Sequence, residues 1–359
     1  VLHEAPGDLV VEDLTVAEPV EREVLIRTKA SGLCHSDLHV IEGLLPLPSL
    51  PAALGHEASG IVEAVGPGVT AFAPGDHVIT CLTQFCGVCS ECHAGRVFIC
   101  PNRHGLARGP DLPPTLSLGD TPVLPMTGLG AFAEQMLVHE NGVVAIDHSV
   151  PFDVAALIGC AVMTGVGSAV NGARIRPGET VAVIGCGGVG LNSVQGAALA
   201  GAVQIVAIDL LDNKLDYARQ FGATDLVNAG NGDAVARVKD ITGGGVDYAF
   251  EAIGNSHTIL QAYEMLAPGG MAIIVGMAPE HDEVSINALS LPRTECGIIG
   301  SWYGGARPWV DLPKIADLYL SGRLQIDPMI SRTYPLEDIN IAYDALAAGE
   351  VARSIILFK

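Results

Sequence analysis

The chain has 359 residues, enough for about two domains at about 150 residues each, and 49% of them are apolar, which fills full cores and excludes a small stapled scaffold. Lys and Arg number 19 against 40 Asp and Glu, a formal net charge of −21 that repels a phosphate backbone and excludes nucleic acid as a partner. With 16% charged residues and a mean hydropathy of +0.40, the composition also excludes a disordered chain.

The start, Val1 to Val10, carries Glu4 and Asp8 and lacks a basic segment followed by an apolar run, so no secretory signal is expected. Residues 1 to about 80 show short alternating segments such as Val24 to Thr28 and Gly60 to Val65, broken by Gly and Pro, which predict an irregular β domain. Four cysteines then crowd into positions 86 to 100. The segment His104 to Gly130 is rich in Pro, Gly and Leu without a clear period and predicts a long surface loop. From about 154 to 300, apolar runs (Val181 to Ile184, Ile205 to Ile208, Tyr248 to Ala252, Ala272 to Val275) alternate with helix-like segments, the pattern of a doubly wound parallel sheet covered on both faces. Beyond about 302 come further helical pattern and a final apolar run, Ser354 to Phe358, expected to rejoin the first domain. The stretch Thr180 to Ile208 has no charged residue and is long enough to cross a bilayer, but its six glycines, Asn192, Gln195 and Gln204 argue against that, and no membrane partner is expected.

Nine cysteines, an odd number clustered unevenly, argue against a disulfide framework and for metal chemistry in a reducing compartment, the cytoplasm. Cys86, Cys89, Cys92 and Cys100 form C-x-x-C-x-x-C-x7-C in one loop. Four thiolates from one loop complete a tetrahedral shell around Zn²⁺ and leave no position open to substrate, so the site reads as structural. An iron–sulfur cluster is the competing reading, but its common spacings differ.

After Val181 to Ile184 stands Gly185-Cys186-Gly187-Gly188-Val189-Gly190, and Asp209 follows 19 residues beyond the last glycine. A bare G-x-G-x-x-G is weak; between a strand and a helix, with that acid, it is a dinucleotide fingerprint. Gly185 serves the tight turn, Gly187 the approach to pyrophosphate, Gly190 the close packing of helix on strand, and the helix start with Gly188 and Val189 offers free amides to phosphate. Asp209 is expected on the adenosine ribose; it opposes a 2′-phosphate by about 4 kcal/mol for unit charges about 4 Å apart at an effective dielectric of 20, so NAD is favoured over NADP.

Three further residues stand apart: Cys34 in Gly-Leu-Cys-His-Ser-Asp-Leu-His, His56 in Gly-His-Glu, and Cys160 in Leu-Ile-Gly-Cys-Ala-Val-Met-Thr-Gly. Taken singly, each is more simply a packed core residue; together they supply the open set of two thiolates and an imidazole that is known for alcohol dehydrogenase. These stretches, the four-cysteine lobe and the glycine fingerprint occur in the order seen in zinc-dependent medium-chain alcohol dehydrogenases, which the chain resembles nearly end to end.

The resemblance implies a fold and a set of roles. A GroES-like, β-rich catalytic domain (1–160 and 302–359) is expected beside a central Rossmann domain (161–301), with the active site between them. Cys34, His56 and Cys160 correspond to catalytic zinc ligands and Cys86, Cys89, Cys92 and Cys100 to structural ones, two zinc ions per chain in all. Cys160 is informative, since polyol dehydrogenases tend to carry Glu there. Ser36 and His39 resemble the proton path from the alcohol, Asp37 and Glu57 carboxylates that support the metal site, and Leu82 and Phe132 substrate-pocket positions. His35, Thr164, Lys214 and Arg353 resemble cofactor contacts. The implied activity is NAD-dependent interconversion of medium-chain or aromatic primary alcohols and aldehydes. The apolar stretches Leu112-Pro-Pro-Thr-Leu-Ser-Leu and Val123-Leu-Pro-Met are expected to make the site's mouth roomy and apolar. The alternatives are a thiol-adduct formaldehyde dehydrogenase, with Arg103 and Arg108 as anion anchors, and a non-catalytic dinucleotide binder. The long segment 104–130 resembles the dimeric branch, and a homodimer is expected through the edge near Cys296 to Trp302.

Overall fold

The computed structural model describes residues 1–109, 111–349 and 352–359, and of 104 and 105 the backbone only. The chain divides into two compact units, Val1–Cys160 with Arg307–Lys359, and Ala161–Ala306.

The first unit is built on a seven-stranded sheet. Its longest member, Glu23–Gly32, pairs antiparallel with Ala58–Val65, with Gln135–His139 and with the C-terminal strand Arg353–Leu357. Alternation explains which face is inside: Val24 and Ile26 are wholly buried against Val62, Val78, Met136 and Val138, while Arg27 points outward to Glu63. Each such Val or Ile contributes about 1.5–3 kcal/mol by leaving water. The final run joins the sheet by pairing Ile355 with Gly32 and Ile356 with Ser31, so both chain ends lie in this unit.

The segment 104–130 is not the featureless loop its composition suggests. It contains the strands Leu116–Leu118, Thr121–Pro122 and Leu124–Pro125, the first paired with Thr15–Val16 and with Thr121–Pro122. Two- and three-residue strands are too short to show a period. Pro110 lies outside the described residues. The segment's apolar side chains have a destination of their own: Leu116 and Val123 are buried with Ala53 and pack against Val1, Leu14, Val16 and Leu118. Leu116, Leu118 and Val123 fill this small core, Leu124 and Met126 pack in the larger core with Leu2 and Leu54, and Leu112 is exposed. Arg108 clamps the segment, its Nε and Nη2 donating to the two carboxylate oxygens of Glu23 at 2.8 and 2.7 Å and its Nη1 to the Pro113 carbonyl at 3.0 Å.

The second unit is a six-stranded parallel sheet in the spatial order Asp225–Asn228, Gln204–Asp209, Thr180–Ile184, Val246–Glu251, Leu266–Ile274, Gly297–Gly300. The order reverses direction beside the first strand, as in a Rossmann fold. The stretch Thr180 to Ile208 becomes strand, helix (Gly188–Ala200) and strand, which accounts for its lack of charge. Residues 302–306 stay with this unit rather than crossing at 301: Tyr303 and Gly304 are buried, and the Gly304 carbonyl accepts from Asn171 Nδ2 at 3.4 Å. A second apolar stretch, the helical Phe152–Ala173, also has the length and hydropathy of a membrane span, yet 83% of its most apolar window is buried within the protein.

Candidate active site

In the cysteine lobe, Cys89 caps the short helix Ser90–His93, which turns Cys92 back toward Cys86. The sulfurs stand 3.5 Å (Cys89–Cys92), 3.6 Å (Cys86–Cys100), 3.9 Å (Cys89–Cys100) and 4.0 Å (Cys86–Cys92) apart. A tetrahedron with metal–sulfur bonds of about 2.3 Å has edges of about 3.8 Å, so this array fits Zn²⁺ without rearrangement. The amide of Val88 draws Cys86 down to about 6, whereas burial pushes Cys92 up to about 12, and a bound cation displaces the proton of each thiol it takes as ligand. The lobe sits on Phe85, Val97 and Cys100, all buried, with the Phe85 carbonyl held by Asn141 Nδ2 at 2.5 Å and its ring edge-on to Trp309.

The dispersed residues converge. One ligand atom each from Cys34, His56, Glu57 and Cys160 lies within 4.8 Å of all the others, and all four residues are buried. Cys34 stands at the N-cap of the helix His35–Ile41, and His56 and Glu57 immediately precede the strand Ala58–Val65. Cys160 lies in a π-helical turn, Ile158–Val162, a local widening common at functional sites. Gly159 lets this turn approach the sheet, since a Cβ there meets the Thr80 carbonyl at 2.8 Å. The hydrogen bond from Cys160, outweighing burial, holds the Cys34 thiol far below its usual range, and in return Cys160 is pushed up. Burial opposes charge on His56, but Asp37 and Cys34 overcome it and raise its pKa. Soft, acidic sulfur beside imidazole, with the donor atoms within 4.8 Å of one another, fits Zn²⁺.

The surroundings of this cluster are ionic. Asp37, fully buried, accepts from the Gly55 amide at 3.0 Å and lies 3.2 Å from His56 Nδ1, fixing which imidazole nitrogen faces the cluster. Arg353 Nη2 donates to Glu57 Oε2, and Glu57 Oε1 is buried without a partner among the described residues. Burial raises Glu57 to about 7 against the pull of Arg353. This pairing across 296 positions left no local trace in the sequence. Ser36 and His39, three apart on one helix face, are both half-buried, and His35 is exposed. Leu82 and Phe132 are half-buried, the Phe132 ring edge-on to that of Tyr343, which sequence reasoning missed.

In the second unit, the turn Gly185–Gly190 leads from Thr180–Ile184 into the helix Gly188–Ala200, whose N-terminus carries no side-chain cap. A Cβ at Gly190 overlaps the Gly185 carbonyl, so only glycine permits this approach. Asp209 ends its strand with the carboxylate held by the amides of Cys186 (2.8 Å), Leu210 (2.8 Å) and Leu211 (3.1 Å). Lys214 lies in the first turn of the helix Asp212–Gln220, and Thr164 in the helix Met163–Gly167. The Asp209 carboxylate is fixed at the strand end, where an adenosine ribose is expected: Asp209→Gly is expected to weaken NAD binding and narrow the gap to NADP, and comparable kcat/KM for the two cofactors in the unaltered enzyme contradicts that expectation.

A closed sulfur site and an open sulfur–imidazole site in one unit, with a dinucleotide turn in the other, define a zinc-dependent oxidoreductase of the dinucleotide-using kind. Comparison with known proteins agrees. Residues 20–148 match the alcohol dehydrogenase GroES-like domain and residues 188–321 the zinc-binding dehydrogenase domain. The alcohol dehydrogenase class-3 of Cereibacter sphaeroides is 38% identical over 99% of this chain and 98% of its own length, and the S-(hydroxymethyl)glutathione dehydrogenase of Paracoccus denitrificans 37% identical over 99% and 98%. Among solved structures, benzyl alcohol dehydrogenase from Acinetobacter calcoaceticus superposes with a TM-score of 0.90 at 31% identity, covering 96% of this chain and 94% of that one. The chain belongs to the zinc-dependent medium-chain alcohol dehydrogenase family, in its class-3-like branch, and is an NAD-dependent zinc enzyme.

Proposed function

We propose that the enzyme interconverts medium-chain or aromatic primary alcohols and their aldehydes. Cys34, His56 and Cys160 hold the catalytic zinc, and Cys86, Cys89, Cys92 and Cys100 the structural one. When bound, zinc supplies Lewis acidity toward the hydroxyl and NAD accepts the hydride. The protein's part is positional and protolytic. Asp37 orients His56, Glu57 and Arg353 set the charge around the ligands, and Ser36 passes the hydroxyl proton toward His39. His35, Thr164 and Lys214 join the glycine turn and Asp209 in holding the cofactor, whereas Arg353, expected there too, is buried and committed to Glu57.

The observation that carries the substrate reading is the state of Arg108. A glutathione adduct requires cations for its carboxylates, and this guanidinium is committed to both oxygens of Glu23, with side-chain exposures of only 6% and 12%. The likeness to a benzyl alcohol dehydrogenase supports the same reading. Half-buried Leu82 and Phe132 offer apolar contact at the substrate position. Each CH₂ buried contributes about 0.8 kcal/mol, or about fourfold in affinity, so kcat/KM should climb from ethanol to hexanol and benzyl alcohol. The second reading, oxidation of S-(hydroxymethyl)glutathione, is favoured by the names of the class-3 relatives. Side-by-side kcat/KM values for hexanol, benzyl alcohol and formaldehyde with glutathione decide between them; a hundredfold advantage for the last reverses the assignment.

The enzyme assembles, on this reading, as a homodimer through the edge strand Gly297–Gly300, where Ile299 and Trp302 are 51% and 41% exposed. Light scattering should give twice the chain mass, and a stable monomer or tetramer contradicts the assignment. Nine free thiols support residence in the reducing cytoplasm.

A further inference from the structure

One buried carboxylate has no part in the chemistry above. Glu251 is the last residue of the strand Val246–Glu251, beside Thr180–Ile184 at the point where strand order reverses, and it is 0% exposed. Its Oε1 accepts three hydrogen bonds, from the amides of Ile253 (2.9 Å) and Gly254 (2.8 Å) and from Thr258 Oγ1 (2.8 Å). Its backbone carbonyl accepts two more from the next strand's exit, Val275 N at 2.9 Å and Gly276 N at 3.0 Å. Its Oε2 is buried without a partner among the described residues and stands 2.7 Å from the place a Cβ on Gly276 would take. That same Cβ would overlap Gly254, so the loops leaving the two strands touch backbone to backbone directly over the carboxylate. Ile253 in turn presses on the glycine turn, its Cγ1 lying 2.6 Å from a Cβ built on Gly185.

A carboxylate is a costly group to bury, and three donors on one oxygen are the compensation that keeps it there. The same donors fix the loop 252–255 in one conformation, while the backbone carbonyl fixes 275–276. Location says which part of the cofactor those loops serve. Dinucleotides lie across the carboxyl ends of the strands, one half on each side of the reversal point, and Asp209 marks the adenosine side. The strands Val246–Glu251 and Leu266–Ile274 lie on the other side.

We propose that Glu251 is a positioning residue for the nicotinamide half of NAD: its carboxylate locks the exit of its own strand, residues 252–255, against the next strand's exit, which its backbone carbonyl holds, in the form that receives the ring before the cofactor arrives. It touches no reacting atom; it acts through the two loops.

The test compares NAD with ADP-ribose, which lacks the nicotinamide, by calorimetric titration of the zinc-loaded enzyme. Glu251→Ala is expected to weaken NAD by about tenfold or more, a loss in line with freeing charge-assisted hydrogen bonds and displacing a binding loop, while ADP-ribose changes by no more than about twofold. Glu251→Gln keeps an acceptor at Oε1 and is expected to recover most of the NAD affinity. Equal losses for the two ligands reduce Glu251 to a general structural role and overturn the proposal, as does unchanged NAD affinity. Should the alanine variant fail to fold, Glu251→Asp, which withdraws the carboxylate by about 1.5 Å, is titrated with the same two ligands: a loss confined to NAD supports the proposal, and equal losses or none overturn it.

Discussion

Cys160→Ser is expected to lower kcat/KM by about a thousandfold or more while leaving the protein folded. An alcohol's hydroxyl pKa must fall from about 16 to about 7 for hydride to leave at neutral pH, a stabilisation of about 12 kcal/mol. A serine hydroxyl does not ionise to replace the thiolate, so the catalytic zinc is lost, and even a third of that stabilisation, about 4 kcal/mol, accounts for a thousandfold. The fold survives because the substitution exchanges one buried atom in the turn Ile158–Val162 and leaves the contacts of its neighbours Ile158, Ala161 and Val162, all wholly buried, unchanged. Steady-state kinetics and a melting curve on one preparation check both halves of the statement.

Cys89→Ser is expected to do the reverse. Its sulfur stands 3.5 Å from Cys92 and 3.9 Å from Cys100, so removing it opens two edges of the array. Beneath the loop, among the described residues, Phe85, Val97 and Cys100 form a buried cluster, too small to order residues 86–100 unaided. Zinc bound to folded ligand loops is folding free energy, worth about 10–16 kcal/mol in isolated fingers. Losing even about 3 kcal/mol of it lowers the melting temperature by about 5–10 °C. Proteolysis should cut first within 86–100, with kcat near normal below the transition. An unchanged melting temperature contradicts a structural role.

What the sequence made legible follows from the range of each signal. The runs Val181 to Ile184 and Ile205 to Ile208 read as buried parallel strands because both faces are covered, so every position is apolar, and both are strands. The turn Gly185–Gly190 was legible because close approach forbids a side chain at Gly190 whatever the rest of the chain does. The four-cysteine lobe was legible because its geometry is local to one loop. By contrast, the commitment of Arg108 to Glu23 and of Arg353 to Glu57 joins residues 85 and 296 positions apart, which no window on the chain brings together. The segment 104–130 misled because Leu116, Leu118 and Val123 fill a satellite core under strands too short to alternate. Glu251 passed unnoticed for the same reason as Arg353, since its importance lies in the exit of the neighbouring strand that it holds.

The central claim is that one chain carries two zinc sites with separate duties, and elemental analysis of the unaltered enzyme beside Cys160→Ser and Cys89→Ser tests it most directly. Carefully metallated protein should hold two zinc ions per chain. Each variant should hold one, with activity lost in Cys160→Ser and thermal stability lost in Cys89→Ser. A single zinc in the unaltered enzyme, or one variant losing activity and stability together, contradicts the account.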